Sequence, residues 1–470
     1  MGGEKCATIA PVIGALGTPV IQMVPNSIGT LYVVTETQDA SPANWYHYLH
    51  AVNLDRVAEL TAPVRVSPPP LKCPACIPPQ LSYWSHHHIQ RPGLLLVNNY
   101  LYIGFSMMDG PLPLPNGSVF RYDVTDLSAP PLYFATTTEN TAGGGVWQGG
   151  AGLAYGPDDS GTNYIYFNTG NGDWDGISNW GNSFVKLDPN TLTVPSQGYF
   201  TPSDQYYRNC QNPYTDLDFG SSGVTLTPAN SHWPNLAVTG DKEGGIWAMD
   251  RLSPGGFNQG GCVNNSTCPL CVPSSQNNQN VQTVWLADGT GPVIHNTPAY
   301  WNDFIYVAPQ NGQVIQYQIC NNYPSGPPFC GNPVYASGPE GDITTKYGAT
   351  PVVSAGPNSS DGILWLTSGG VQAMGTHPGG LYAVDATSMT ELYVNTGTGS
   401  PCSQVDSIDP VIKFSVPTVA NGYLYLGTQS LVNGLNNGAG AFYIFGLNRQ
   451  CSNNMKTRPR SPRTSAHRAD

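Results

Sequence analysis

Three short strand patterns recur in a fixed order along this chain, and this internal repeat limits the possible folds more than any other feature. The first pattern opens with small residues or proline, with copies at residues 17–21, 91–97, 149–156, 221–228, 296–301, 349–354 and 416–422. An apolar strand follows each copy, at residues 30–35, 100–106, 164–170, 235–240, 304–309, 362–368 and 423–428. A third strand, usually ending at an acidic turn, lies at residues 49–55, 119–124, 184–189, 246–251, 314–319, 381–386 and 442–447.

The repeat predicts an all-β fold, a β-propeller with about seven four-stranded blades, because several short antiparallel strands per repeated unit are typical of propellers. A β-helix has much shorter repeats, and a sandwich does not repeat. The 54 glycines and 43 prolines make turns frequent and long helices improbable. We expect the propeller to span residues 1–448.

Charge is sparse and unevenly distributed. The net charge of −12 argues against nucleic acid as a partner, and no apolar run is long enough to span a membrane. Residues 449–470 contain six basic residues and one acidic residue and lack an apolar pattern. This segment is predicted to be a basic, disordered tail.

The cysteines indicate an oxidising compartment. There are eleven, several of them clustered in loop-like sequence, which favours disulfides in a secreted protein over two CxxC pairs sharing a zinc ion. Four glycosylation sequons support the same interpretation, at Asn116, Asn264, Asn265 and Asn358. No signal peptide precedes the first repeat, so we expect the N-terminus to be incomplete if the protein is extracellular.

The motifs in these repeats resemble the pyrroloquinoline-quinone (PQQ) dependent dehydrogenases, the quinoprotein alcohol dehydrogenase-like propellers. The resemblance covers roughly residues 14–447, and it is strongest over residues 143–256, which read GGGVWQGGAGLAYG, NTGNGDWDG, GNSFVKLDPNT, DLDFGSSG and TGDKEGGIWAMDRL in family order. It implies oxidation of an alcohol or sugar with PQQ and Ca²⁺. The family has eight blades, whereas seven are visible here, and the family's first blade is the one without a counterpart.

The resemblance implies two calcium ligands. Asp109, in GFSMMDG, stands where the family has a calcium-binding Glu, and Asp offers the same oxygen chemistry with a shorter reach. Asn171, in TGNGDWDG, stands where the family binds Ca²⁺ through an amide oxygen. Each has a structural alternative, since Asp and Asn-Gly are also common turn residues.

Three further residues complete the implied site. Asp218, in DLDFGSSG, matches the catalytic base, with Asp216 as a competing candidate, and a carboxylate next to Ca²⁺ stays ionised. Lys242 matches the cation that faces the cofactor's oxygens, although a hairpin-turn Lys is the alternative. Trp147 is the candidate for stacking on the quinone, or else it fills space between blades.

Other features favour a second hypothesis, a catalytically inactive extracellular propeller that binds a glycan or a protein. The adjacent cysteine pair of the active bacterial relatives has no counterpart in this chain, and no Cys-x-x-Cys-His motif for covalent haem occurs. The fold alone cannot decide between an enzyme and a binding module.

Overall fold

The structure is a computed structural model that describes most of the chain, namely residues 14–23, 25–38, 45–68, 85, 87–107, 116–138, 143–209, 216–258, 280–286, 292–339, 341–356, 361–372, 375–395, 408–432, 435–446 and 467–469. These residues form two compact units. The first lies within residues 13–229 and 234–291, and the second lies within residues 230–233 and 292–470.

The first unit contains four blades of mainly antiparallel strands. The first blade has strands β1 (Val20–Gln22), β2 (Thr30–Gln38), β3 (Trp45–Asn53), β4 (Ala58–Glu59) and β5 (Val64–Val66). The second has β6 (His88–Ile89), β7 (Leu95–Val97), β8 (Tyr100–Met107), β9 (Ser118–Asp123) and β10 (Leu132–Ala135).

The third and fourth blades carry the predicted site. The third has β11 (Ala154–Pro157), β12 (Asn163–Asn168), β13 (Phe184–Leu187) and β14 (Tyr199–Thr201), and the fourth has β15 (Thr225–Leu226), β16 (Leu236–Gly240), β17 (Gly245–Asp250) and β19 (Gln282–Trp285). A further strand, β18 (Gly256–Phe257), leaves the fourth blade and pairs in parallel with β14 at the edge of the third. Helix α1 (Gln205–Arg208) and a 3-10 turn (Phe219–Ser221) lie between β14 and β15.

The second unit contains three blades. They are built from β20 (Ala299–Trp301), β21 (Phe304–Val307), β23 (Ile315–Ile319) and β24 (Phe329–Tyr335); from β28 (Val352–Ser354), β29 (Ile363–Gln372), β30 (Gly375–Asp385) and β31 (Glu391–Val394); and from β32 (Thr418–Ala420), β33 (Tyr423–Val432), β34 (Leu435–Phe445) and β35 (His467–Ala469). Two small ribbons pair β22 (Gly312–Gln313) with β27 (Thr344–Thr345) and β25 (Ser337–Gly338) with β26 (Gly341–Asp342).

The described part of the chain therefore has seven blades, and the predicted fold class, a seven-bladed β-propeller, is confirmed. Within each unit the core consists of apolar clusters, each drawn from two successive blades. Among the described residues, no helix is both long enough and apolar enough to span a membrane.

Turn chemistry explains why the repeated pattern folds into blades. Several first and second strands are joined by two-residue turns with positive φ, as at Asn302 (φ 48°) and Asp303 (φ 60°), which match the twist of a hairpin. The recurring acid at the end of the third strand caps the turn that follows. Asp188 Oδ1, for example, accepts the Asn190 N–H at 2.7 Å, and Asp385 Oδ1 accepts the Thr387 N–H at 2.9 Å.

One predicted cysteine cluster forms a disulfide. Cys320 and Cys330 are bonded, which closes the loop between β23 and β24. The other nine cysteines lie outside the described residues, as do Asn264, Asn265 and Asn358. In the tail, β35 pairs with β34, and the rest of residues 449–470 lies outside the described part, so its predicted disorder stays a prediction.

Candidate functional site

Three of the predicted site residues lie in connections within or between the third and fourth blades. Asn171 comes shortly after β12, and Lys242 lies in the turn between β16 and β17. Asp218 immediately precedes the 3-10 turn that leads into β15. These loops converge, so residues separated by up to 47 positions become hydrogen-bonded neighbours.

Asp218 is the centre of this cluster. Asp218 is only 7% exposed to solvent, and both of its carboxylate oxygens have hydrogen-bond partners. Oδ1 accepts the backbone N–H of Asn171 at 2.6 Å, and Oδ2 accepts a hydrogen bond from Lys242 Nζ at 2.5 Å. Lys242 Nζ also contacts Asp216 Oδ1 at 2.7 Å, so one ammonium group bridges two carboxylates. Both of the competing base candidates thus belong to one ionic cluster.

The pKa values follow from this arrangement. Burial raises the pKa of Asp218, but the Lys242 ammonium and the Asn171 N–H outweigh burial and leave that pKa below its ordinary value. Burial raises the pKa of Asp216, and the Lys242 charge only partly offsets this rise. Burial lowers the pKa of Lys242, yet the two carboxylates more than reverse the effect. Asp218 is therefore an ionised carboxylate paired with a charged lysine.

Trp147 lies beside this cluster. A Cβ atom on Gly170 would collide with Asp218 Oδ1 and would lie 2.9 Å from Trp147 Nε1, so the indole and the carboxylate both pack closely against this glycine. Arg91 donates from Nε to the Trp147 carbonyl oxygen at 3.0 Å, and its guanidinium carbon lies 4.8 Å from the indole ring centre.

Arg91 is a site residue that the sequence analysis missed. Burial lowers its pKa to about 10 while the charge of Asp218 acts in the opposite direction, so the guanidinium remains charged and lies in the field of that carboxylate. A signal was present, since Arg91-Pro-Gly opens a first-strand pattern in a chain with only 18 Lys and Arg residues.

A second buried ionic cluster, centred on Arg208, lies next to the loops that carry Asp218 and Lys242. Arg208 of α1 contacts Asp204 and Glu243, and its Nη1 lies 3.0 Å from Asp241 Oδ2, with all four side chains at most 3% exposed. Arg208 Nη1 also donates to the Leu217 carbonyl oxygen at 3.2 Å. This arginine therefore connects the Asp218 loop with the turn that carries Lys242.

Asn182 was also missed as an individual residue. It occurs in the motif GNSFVKLDPNT, which was noted only as a family resemblance. Its side chain donates to Asn171 Oδ1 at 3.0 Å and accepts the Phe219 N–H at 2.9 Å. It therefore joins the two loops that meet at Asp218.

The donor atoms suit a hard cation, with one candidate ligand outside the described residues. Ca²⁺ binds six to eight oxygens, and Asn171 and Asp218 offer amide and carboxylate oxygens within one hydrogen-bonded cluster. Asp109 lies outside the described part of the chain, so its role stays a prediction. Within the described part, no group of three or more His, Cys, Asp or Glu residues is arranged to hold a metal ion. The flat indole of Trp147 and the cations of Arg91 and Lys242 suit a planar, acidic cofactor.

Comparisons with known proteins assign no family to this chain. No protein-family model and no curated protein matches the chain, so the resemblance to PQQ dehydrogenases stays a prediction. Among solved structures, BamB from Moraxella catarrhalis is 10% identical, with a TM-score of 0.38 and coverage of 93% of this chain and 94% of that chain. Sqt1 from Chaetomium thermophilum, solved bound to the N-terminus of ribosomal protein L10, is 12% identical, with a TM-score of 0.44 and coverage of 94% and 87%.

Proposed function

We propose that this propeller is a quinoprotein-like oxidoreductase that holds PQQ and Ca²⁺ at the cluster of Asn171, Asp218 and Lys242 and oxidises an alcohol or sugar. The observation that carries the proposal is the state of Asp218, an almost buried carboxylate kept ionised by Lys242 and the Asn171 N–H. Perturbed, paired ionisable groups of this kind are typical of functional sites.

Each side chain has a separate task in this proposal. Asn171 and Asp109 would supply oxygens to the calcium ion. Trp147 supports the cofactor ring, while Arg91 and Lys242 balance its negative charge. When bound, PQQ supplies the oxidising power, since it accepts two electrons from the substrate.

Asp218 accepts the proton of the substrate hydroxyl. A general base must be ionised at the working pH, and the lowered pKa of Asp218 meets that requirement. Lys242 stays charged throughout and limits the cost of the negative charge around it. Asp216, whose side chain is 48% exposed, shares Lys242 with Asp218 and offers the proton a route to solvent.

The second candidate function, a cofactor-free propeller that binds a glycan or a protein, has one observation in its favour. Lys242 already pairs with both carboxylates, so each of them has a cationic partner without any ligand. The disulfide between Cys320 and Cys330 supports an extracytoplasmic location for either candidate.

Calorimetric titration with PQQ, with and without Ca²⁺, tests the first candidate. We expect saturable, Ca²⁺-dependent binding to the parent protein and a loss of at least about tenfold in affinity for Asn171→Ala, since a metal ligand is removed. The matched control is Asn190→Ala, an exposed turn asparagine in the third blade, which should bind normally. A folded parent protein that binds no PQQ in Ca²⁺ would exclude the quinoprotein function and leave the binding module.

A further inference from the structure

The Asp218 carboxylate belongs to a closed cycle of hydrogen bonds. Asn171 donates its backbone N–H to Asp218 Oδ1, and Asn171 Oδ1 accepts a hydrogen bond from Asn182 Nδ2. Asn182 Oδ1 in turn accepts the N–H of Phe219, the residue next to Asp218. The backbone N–H of Asn182 donates to the Gly170 carbonyl oxygen at 2.7 Å. One side chain therefore holds both loops of the site.

Asparagine suits the demands at position 182. The residue is fully buried, and its φ of 48° lies in the left-handed region, which Asn tolerates better than most residues. Its amide provides a donor for Asn171 and an acceptor for Phe219. Aspartate has no donor, and serine has a shorter side chain with a single polar atom.

We propose that Asn182 is a positioning residue that fixes which atom of the Asn171 amide faces a bound cation. This inference rests on the proposed function. Asn182 Nδ2 is a donor. It therefore selects the rotamer of Asn171 in which Oδ1, rather than Nδ2, faces Asn182. The second lone pair of Oδ1 then remains for a cation, whereas a turned amide would present a donor that repels it. Asn182 thereby sets the preference of the site for a cation without touching it.

The test uses a variant that preserves the backbone. Asn182→Gly keeps a residue that adopts positive φ readily but removes both side-chain hydrogen bonds. Asn98→Gly is the matched control, because Asn98 has a φ of 54° and lies exposed in the hairpin between β7 and β8. We expect Asn182→Gly to weaken Ca²⁺-dependent PQQ binding roughly tenfold or more, as loss of an outer-shell partner does, and Asn98→Gly to leave it unchanged.

A ligand-free measurement separates this inference from the proposed function. The side-chain amide resonances of Asn171 should shift in Asn182→Gly, and also in Asn182→Asp, which keeps the acceptor for Phe219 and serves if the glycine variant does not fold. If the parent protein binds no PQQ but these resonances shift, the proposed function fails and the positioning role stands for Ca²⁺ titrated alone. Unchanged resonances in both variants would overturn the role of Asn182.

Discussion

At the scale of single residues, the central feature is one ammonium group shared by two carboxylates. Lys242 is the only cation within hydrogen-bonding distance of Asp218 among the described residues, and it offsets the burial of that carboxylate. Its removal would leave Asp216 and Asp218 facing each other with burial uncompensated. Such like-charged pairs titrate together, and one member acquires a strongly raised pKa.

We therefore expect Lys242→Met to raise the pKa of Asp218 by about one unit or more. If Asp218 is the base, the acidic limb of the pH profile of kcat/KM moves to higher pH by the same amount, because more alkaline conditions are needed to ionise the carboxylate. Lys346→Met, at an exposed lysine of the second unit, is the control. An acidic limb that does not move in Lys242→Met would show that Asp218 is not the titrating base.

The resemblance placed Asn171, Asp218, Lys242 and Trp147 in one site together with Asp109; the structure brings the first four close together, while their roles and the position of Asp109 stay predictions. Strand ends and the family order of motifs locate such residues along the chain. Asn182 and Arg91 could not be assigned in the same way, because their roles depend on atoms that approach only after folding. A buried asparagine in a left-handed turn and an arginine before a strand look ordinary until their partners are known.

At the scale of elements, α1 and the β16–β17 turn are joined by the buried ion cluster of Arg208. Burial lowers the pKa of Arg208, but its three acidic neighbours raise it further, so it remains a cation. Burial raises the pKa of Glu243 to about 8, which lets one carboxyl of the cluster hold a proton at neutral pH. The negative charges of the buried acids in this cluster are balanced by the Arg208 guanidinium.

Arg208→Met should therefore lower the free energy of unfolding by about 3–5 kcal/mol, because it leaves buried acids without their cation. Urea denaturation followed by tryptophan fluorescence measures the change, with Arg56→Met at an exposed arginine as the control. An effect below about 1 kcal/mol, the range of surface ion pairs, would contradict the structural role of this cluster.

The repeated blade strands could be predicted because a buried strand needs apolar and β-branched residues at regular positions. The parallel strand β18 could not, since Gly256 and Phe257 carry no strand pattern and pair only because β14 presents a free edge. Similarly, α1 has only four residues, and its N-cap residue Asp204 makes no side-chain capping hydrogen bond.

At the scale of the whole molecule, the stability should depend on pH through a buried pair between β2 and β3. Burial raises the pKa of Glu36 to about 8 and lowers the pKa of His47 to about 3, and the two side chains are 3.8 Å apart. Both groups are therefore neutral in the folded state at pH 7. The number of blades could be predicted from the sequence repeat alone. The Glu36–His47 pair could not, because it depends on the strand register that places Glu36 opposite His47.

Glu36→Gln isolates the contribution of the glutamate. Between its ordinary pKa of 4.5 and about 8, the folded state holds a proton that the unfolded state releases, so the free energy of unfolding falls as the pH rises. We expect the variant to remove this decline, which amounts to at most about 1.4 kcal/mol per pH unit. Between pH 6.5 and 8 the opposing effect of His47 is absent, so denaturation series there give the cleanest comparison with the parent protein. Parallel curves for the two proteins would mean that Glu36 is ionised in the folded state.

The parallel pair of β14 and β18 has a mechanical consequence. It fastens residues 202–255 at both ends to one sheet, and this segment contains α1, Asp218 and Lys242. Tension transmitted along the backbone reaches these residues only after the two short strands have sheared apart. The third and fourth blades are thus joined at one edge by this strand pair, and the polar cluster lies in the segment that the pair shields from tension.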